Sequence, residues 1–255
     1  MQMSLKLKQP PLPEAVLTDL DPRWKLAALL LASLAVSMLH HVPAAAAALA
    51  GALLLALAAR LPLRWYLARL GAVAAFLFWF AVMIPFVIPD SKPGLEIGRL
   101  HISYGLTVAI LVCLKALAII TLVLVHLGTT PLPATLKAAH ALHVPGLVVQ
   151  VAMLAYRYIF VVAGEFVRVR IALRVRGFRS RANRHSYRTL GQVSGTLLVK
   201  AYERAEAVGQ AMRCRGFDGQ FRALAQFRTA AADILFFCVV VAFAAVLLAW
   251  SVGQG

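Results

Sequence analysis

The stretch Tyr104-Gly-Leu-Thr-Val-Ala-Ile-Leu-Val-Cys-Leu-Lys-Ala-Leu-Ala-Ile-Ile-Thr-Leu-Val-Leu-Val-His-Leu127 decides the fold, because it is almost wholly apolar. Its one formal charge is Lys115. A helix that crosses a bilayer needs about 20 consecutive, predominantly apolar residues. This stretch therefore predicts a transmembrane helix.

Four further apolar stretches have a comparable character, and the whole chain is 62% hydrophobic, whereas soluble domains are nearer half apolar. The other predicted spans are Trp24–Leu39, Ala44–Ala59, Leu67–Ile88 and Ala230–Trp250. We therefore predict an all-α integral membrane protein of the bacterial inner membrane, with about five transmembrane helices.

The distribution of charge predicts the topology. The chain has 26 Lys and Arg against 10 Asp and Glu, and residues 168–228 hold 14 of the former and 3 of the latter. Basic loops stay in the cytoplasm. The apolar stretch Gly146–Phe166 is long enough for a sixth span, but that crossing would place the basic segment outside. We therefore expect it to be a helix packed near the cytoplasmic face.

The predicted domain organisation follows from these spans. It comprises a cytoplasmic N-terminal segment at 1–22, a four-helix membrane region at 23–128, a cytoplasmic domain at 129–228, and a last transmembrane helix with the C-terminus at 229–255. Within the cytoplasmic domain, apolar residues at helical spacing predict two long amphipathic helices, about Gly146–Arg176 and Tyr187–Arg215.

A seven-residue motif occurs twice, once at the end of each of these two helices. Ala172-Leu-Arg-Val-Arg-Gly-Phe178 returns as Ala211-Met-Arg-Cys-Arg-Gly-Phe217, with one apolar residue replacing another at the two variable positions. A glycine after a cationic last turn is typical of a helix C-terminus. Two equal basic helix ends predict two equal docking points for a partner that is present in two copies.

Several function classes are disfavoured by the sequence. It contains no GxxxxGK[ST], HExxH or GxSxG motif, so we expect neither nucleotide hydrolysis nor another enzymatic activity in this chain, and no cofactor. Nucleic-acid binding is disfavoured because basic residues beside a bilayer already have an explanation in the topology. The remaining arginines of the cytoplasmic domain are expected to face water or anionic lipid.

The histidines and the charges inside the spans are expected to be structural. His40 and His41 are adjacent, so they point to different helix sides, and no carboxylate or thiolate lies nearby in sequence, so we predict no metal site. Lys115 and Asp233 are costly inside a membrane unless they are paired or face the bundle interior. A packing or ion-pair role is expected for both.

The chain resembles a known family, the transmembrane (T) component of energy-coupling factor (ECF) transporters, most closely its cobalt-type CbiQ branch. The residues that carry the resemblance are Leu20-Asp-Pro-Arg-Trp-Lys-Leu26, Thr129-Thr-Pro131, Leu136, Val144-Pro145, Tyr156-Arg-Tyr-Ile159 and the paired Arg-Gly motifs. The family motif is usually Ala-Arg-Gly. Here Val175 and Cys214 stand at its first position, while the arginine and glycine are kept.

The resemblance implies that the cytoplasmic domain is a coupling domain that docks two cytoplasmic ATPase subunits. The implied docking residues are Val175, Arg176, Gly177, Cys214, Arg215 and Gly216. A separate membrane subunit would capture the substrate, which for this branch is a cobalt or nickel ion, as in cobalt supply for cobalamin biosynthesis. Three alternatives remain open: the same role for nickel or vitamin uptake, a membrane-bound enzyme acting on a phosphorylated lipid, and a structural membrane anchor.

Overall fold

The structure, a computed structural model, describes residues 20–87, 96–97, 100–101, 104–179, 181–217 and 229–253. These residues form α1 (Pro22–Ser37), α2 (Val42–Ala58), α3 (Leu63–Val87), β1 (Glu96–Ile97), β2 (Leu100–His101), α4 (Tyr104–Thr129), α5 (Leu132–Ala141), α6 (Gly146–Val175), α7 (Arg184–Cys214) and α8 (Ala231–Gly253). Two compact units result. We call α6 with α7 the coupling-helix unit, and α1–α5 with α8 the bundle unit.

The described residues confirm the predicted all-α class, apart from one two-stranded hairpin. β1 and β2 pair antiparallel, with Glu96 opposite His101. Proline marks the starts of several helices, because its fixed φ suits the first turn and its missing N–H is not needed there. Pro22 and Pro43 lie in the first turns of α1 and α2, and Pro145 precedes α6.

The apolar helices agree with the predicted spans to within a few residues at each end. Among the described residues, four helices are long and apolar enough to cross a membrane: α3, α4, α6 and α8. The first two spans are short, as predicted: α1 has 16 residues and α2 has 17, and the two predicted spans have 16 residues each. The stretch that begins at Gly146 qualifies by length and composition, because α6 continues to Val175. The chain is therefore a multi-pass membrane protein, but its expected first two spans are shorter than an ordinary crossing.

Small residues bring the helices of the bundle unit close together. One core cluster joins Ala28 and Ala32 of α1, Ala52 and Ala56 of α2, Leu122 and Val125 of α4, and Val240 and Ala244 of α8. Alanine lets backbones approach closely, which is how helices associate where lipid removes the hydrophobic driving force. α3 packs on α4, where the Tyr66 hydroxyl lies 3.0 Å from Thr121 Oγ1.

Asp233 holds together the first turns of two helices. Its carboxylate accepts hydrogen bonds from the backbone N–H of Ala230 (2.7 Å) at the start of α8 and of Asp21 (2.8 Å) at the start of α1. Asp233 is only 2% exposed. A carboxylate is favourable at helix N-termini because it satisfies orphan amides and complements the helix dipole. Hydrogen bonds to backbone amides thus account for a charge that the sequence alone made costly.

Lys115 has a matching role at the other end of α1. Its Nζ donates to the carbonyl of Ser37, the last residue of α1, at 3.0 Å. A cation at a helix C-terminus is the counterpart of a carboxylate at an N-terminus. The packing or ion-pair role predicted for Lys115 and Asp233 is therefore refined: backbone groups at helix ends are the hydrogen-bond partners of both side chains.

Candidate docking ends of the coupling-helix unit

The first repeat forms a Schellman motif that ends α6. Arg176 caps the helix, and Gly177 follows with φ +77°, in the left-handed region that favours glycine. The N–H of Phe178 donates to the carbonyl of Leu173, and the N–H of Gly177 donates to the carbonyl of Arg174, both at 3.0 Å. These two bonds define the motif and satisfy carbonyls that would otherwise lack partners.

The second repeat reproduces this geometry at the end of α7. Gly216 has φ +74°, close to the value at Gly177. The N–H of Phe217 donates to Met212 O at 3.1 Å, and the N–H of Gly216 donates to Arg213 O at 3.0 Å. The repeat is therefore a structural repeat: its apolar first variable position, glycine and phenylalanine are the residues that a Schellman end uses.

The side chains proposed for docking are exposed at both ends. Val175 is 84% exposed, and Arg176, Cys214 and Arg215 are also exposed. Within the described part of the chain, neither Arg176 nor Arg215 forms an ion pair. Each end thus presents an exposed guanidinium at a helix terminus, a group that can form two parallel hydrogen bonds to a carboxylate.

An ion pair joins the two long helices. The Arg204 guanidinium on α7 hydrogen-bonds to the Glu165 carboxylate on α6. Eleven positions separate Glu165 from Arg176, and eleven also separate Arg204 from Arg215. At 1.5 Å per residue, each docking arginine lies about 16 Å along its helix from this pair. The two helices therefore carry equal arms on either side of one contact.

A groove lies between the end of α6 and the start of α7. It has a volume of about 750 Å³, an apolar floor that includes Phe166, Leu173 and Val193, and a rim that includes Arg170 and Arg174. Leu173 of α6 and Leu190 of α7 line this groove, whereas the ion pair joins an earlier residue of α6, Glu165, to a later residue of α7, Arg204. The two helices are therefore antiparallel. The two docking ends consequently point away from each other.

Metal binding finds no support in the side-chain arrangement. Across the described ranges, no three His, Cys, Asp or Glu side chains form a group that could hold a metal ion. His40 is exposed and His41 is partly exposed in the turn between α1 and α2, while His101 lies in β2.

Comparisons with known proteins decide the family. The profile of CbiQ, the cobalt transport protein, matches residues 13–226, a range that includes both Arg-Gly ends. The chain belongs to this family. It is 29% identical over 194 residues to the cobalt transport protein CbiQ of Rhodobacter capsulatus, covering 76% of each chain. This CbiQ family member is therefore a membrane subunit of a transport system, as the sequence motifs predict.

Two other relatives extend the comparison. An uncharacterised protein of Methanocaldococcus jannaschii is 27% identical over 208 residues, which cover 79% of this CbiQ member and 71% of the relative. The nickel permease LarQ of Lactiplantibacillus plantarum is 32% identical over 93 residues, which cover 36% and 33% of the two chains. Relatives named for cobalt and for nickel thus both match this CbiQ member.

Sequence reasoning missed the Glu165–Arg204 contact. Glu165 was visible as a charge in an otherwise apolar stretch, which is a signal that a buried or partly buried partner exists. The partner was not identifiable, because Arg204 lies 39 residues away on another helix. Lys25 and Thr129 belong to two of the segments that carry the family resemblance. In the structure Lys25 Nζ donates a 3.1 Å hydrogen bond to Thr129 Oγ1.

Proposed function

We propose that this chain is the transmembrane coupling subunit of an ATP-driven ECF uptake transporter for cobalt ion. In this function α6 and α7 form a cytoplasmic coupling domain, and their two Arg-Gly ends dock one ATPase subunit each. Movement of the ATPases passes through the coupling domain to a separate membrane subunit that captures the substrate.

The observation that carries the proposal is the equivalence of the two ends. Arg176 and Arg215 occupy the same capping position of a Schellman motif. Each also lies eleven residues after the residue of its own helix that forms the Glu165–Arg204 pair. A partner that is present in two copies requires two equal recognition points on one asymmetric chain. A structural anchor with no energy coupling does not require this equivalence.

The chemistry of the ends suits a carboxylate-lined groove on the ATPase. The arginine guanidinium is planar and makes two parallel hydrogen bonds to a carboxylate, which lysine cannot do. The neighbouring Val175 and Cys214 are exposed and can contact apolar walls of such a groove. Since the sequence has no GxxxxGK[ST] loop, the energy has to come from the partner.

The large exposed apolar surface of α6 supports a second partner, a membrane protein that it would contact at the cytoplasmic face. Leu147 is 72% exposed, and Val148, Val151 and Ile159 are also exposed. Contiguous apolar surface of this kind marks contact with a protein or with lipid. In the proposed complex it serves the substrate-capture subunit.

A pull-down from the native host tests the docking role. Detergent-purified tagged wild type is compared with Arg176→Glu/Arg215→Glu and with the matched control Arg181→Glu/Arg188→Glu, which reverses two exposed charges that lie outside both repeats. Loss of an interfacial arginine typically costs roughly 2–5 kcal/mol. We expect stoichiometric ATPase with the wild type and the control, and none with the docking variant. A wild type that retains no ATPase would contradict the proposal.

Cobalt is proposed as the cargo because the family profile and the Rhodobacter relative carry that name. The nickel relative makes nickel the competing cargo. Uptake of radioactive cobalt and nickel by cells that contain the complete complex separates the two. Preferential nickel uptake would overturn the cargo while leaving the docking role unaffected.

A further inference from the structure

The turn between α1 and α2 does not reach the level of the N-terminal end of α4, the helix that contacts it. Lys115 Nζ reaches Ser37 O at the end of α1, yet α4 begins eleven residues earlier, at Tyr104. Eleven helical residues span about 16 Å. The other end of α1 lies level with the end of α4, because Lys25 contacts Thr129. α1 therefore reaches only part of the depth that α4 covers.

The lengths of α1 and α2 agree with this shortfall. Their 16 and 17 residues span about 24 Å and about 26 Å, whereas the hydrocarbon core of a bilayer is about 30 Å thick. α8 passes the same level and continues, since Leu247 packs with Leu39 and Ala44 at the turn while the helix extends to Gly253. Met38–His41 thus forms the floor of a notch, with α4 and α8 rising past it.

The tryptophans independently place a membrane interface at the level of this notch. Tryptophan concentrates at the boundary between headgroups and hydrocarbon. Trp79 is 68% exposed and lies two residues after Leu77 in α3. The carbonyl of Leu77 is 3.9 Å from Cys113 Sγ, and Cys113 lies two residues before Lys115 in α4, so Trp79 lies near the level of Lys115. Trp250 is 43% exposed and lies three residues after Leu247.

The other two tryptophans of the chain mark the opposite interface. Trp24 lies in the first turn of α1 and packs edge-on against Phe237, and Trp65 lies in the first turn of α3 under the Arg69 guanidinium. Fourteen residues separate Trp65 from Trp79, and thirteen separate Phe237 from Trp250. Both intervals correspond to about 20 Å. The two tryptophan levels are therefore closer together than the interfaces of an ordinary bilayer.

We propose that Lys115 and the α1–α2 turn bind the phosphate of an anionic phospholipid of the outer leaflet, which dips to meet the notch. Ser37 O takes one Lys115 donor, and within the described residues the ammonium has no acidic partner. His40 and Ser37 are exposed and add polar groups at the same place. A phospholipid supplies the missing negative charge, and a thinner bilayer accommodates short helices at modest cost. The outer-leaflet assignment rests on the proposed topology.

Spin labelling tests the depth of the notch. In the full chain with Cys113, Cys214 and Cys238 changed to Ser, a nitroxide is placed at His40→Cys or, as the membrane-embedded control, at exposed Leu54→Cys, which lies twelve residues after the start of α2. In vesicles of phosphatidylglycerol and phosphatidylcholine, we expect the His40 label to be accessible to a water-soluble relaxation agent and the Leu54 label to be accessible only to oxygen. Equal behaviour of the two labels would overturn the proposal.

Lipid selectivity tests the phosphate itself. The association of spin-labelled phosphatidylglycerol relative to phosphatidylcholine is measured for the wild type, for Lys115→Gln and for the control Lys137→Gln on α5. We expect the wild type and Lys137→Gln to prefer phosphatidylglycerol, and Lys115→Gln to lose about fivefold of that preference. An unchanged preference in Lys115→Gln would overturn the proposal, because it would mean that the notch is filled only by water or by a partner protein.

The side of the membrane is tested separately. Ascorbate added outside sealed right-side-out vesicles should reduce the His40 nitroxide at once. Reduction only after permeabilisation would overturn the outer-leaflet assignment and the topology in the proposed function, whatever the lipid preference shows.

Discussion

The bundle unit and the coupling-helix unit treat charge in opposite ways. In the bundle unit Lys25 and Asp233 are almost completely buried, and each contacts a polar group of a neighbouring helix or helix end. In the coupling-helix unit Arg176 and Arg215 stand exposed at helix ends and form no ion pair within the described residues. Lys25 and Asp233 therefore fix the positions of helices, whereas Arg176 and Arg215 are exposed and could contact the proposed partner.

This difference separates the effects of substitution in the two units. A buried group whose partner is removed keeps its desolvation cost, so its loss destabilises the fold. An exposed, unpaired group contributes little to stability, so its loss should change the binding of a partner rather than the free energy of unfolding. Charged residues of the bundle unit should therefore affect unfolding, and the docking arginines should affect binding.

The largest effect is expected at Asp233. Asp233→Ala leaves the N–H groups of Ala230 and Asp21 without their acceptor, and the free energy of unfolding should fall by about 2–4 kcal/mol. Asp233→Asn keeps one acceptor oxygen and should cost less. Thermal unfolding of the purified protein measures both, with Arg215→Ala as the control in the other unit. The comparison between units fails if Arg215→Ala destabilises as much as Asp233→Ala.

Local signals in the sequence predicted most of the fold. Apolar runs predicted the long helices, and the repeat predicted both ends of the coupling helices, because a Schellman motif is encoded within seven consecutive residues. The bounds of α1 and α2 were predicted to within two residues, because the polar turn residues His40 and His41 and the following Pro43 mark where one helix ends and the next begins. The hydrogen bond from Lys115 to the end of α1 was not predictable, because the two residues lie 78 positions apart in the sequence.

The candidate site was predictable to the same extent. Arg176 and Arg215 were identified from the repeat, whereas the Glu165–Arg204 contact depends on how two distant helices cross. Asp233 was recognised as costly, but its partners are backbone amides, and any residue supplies those. Sequence therefore showed which residues needed a partner, and the structure was needed to identify the partner.

A smaller effect is expected at the glycine of each docking end. Gly177→Ala places a Cβ at φ +77°, which costs about 1–2 kcal/mol although nothing crowds the position. Gly164→Ala is the matched control in the same helix: it also meets no neighbour, its φ is not positive, and alanine should stabilise the helix by up to about 1 kcal/mol. Opposite shifts in the unfolding temperature are expected. Two shifts of the same sign would contradict the strained end.

The smallest effect on stability is expected at the contact between the coupling helices. Arg204 is 37% exposed and Glu165 is 19% exposed, so solvent screens the pair and its coupling energy should be about 0.2–1 kcal/mol. A double-mutant cycle with Glu165→Gln and Arg204→Gln measures this energy, and Glu206→Gln is the control for an exposed glutamate on α7. If the pair fixes the crossing from which both arms extend, each single variant should lower ATP-driven uptake more than it lowers stability. The exchanged pair, Glu165→Arg with Arg204→Glu, should then recover uptake because it restores the contact with opposite polarity. Uptake that stays low in the exchanged pair would show that the crossing depends on the apolar contacts around Phe166 and Val193 instead.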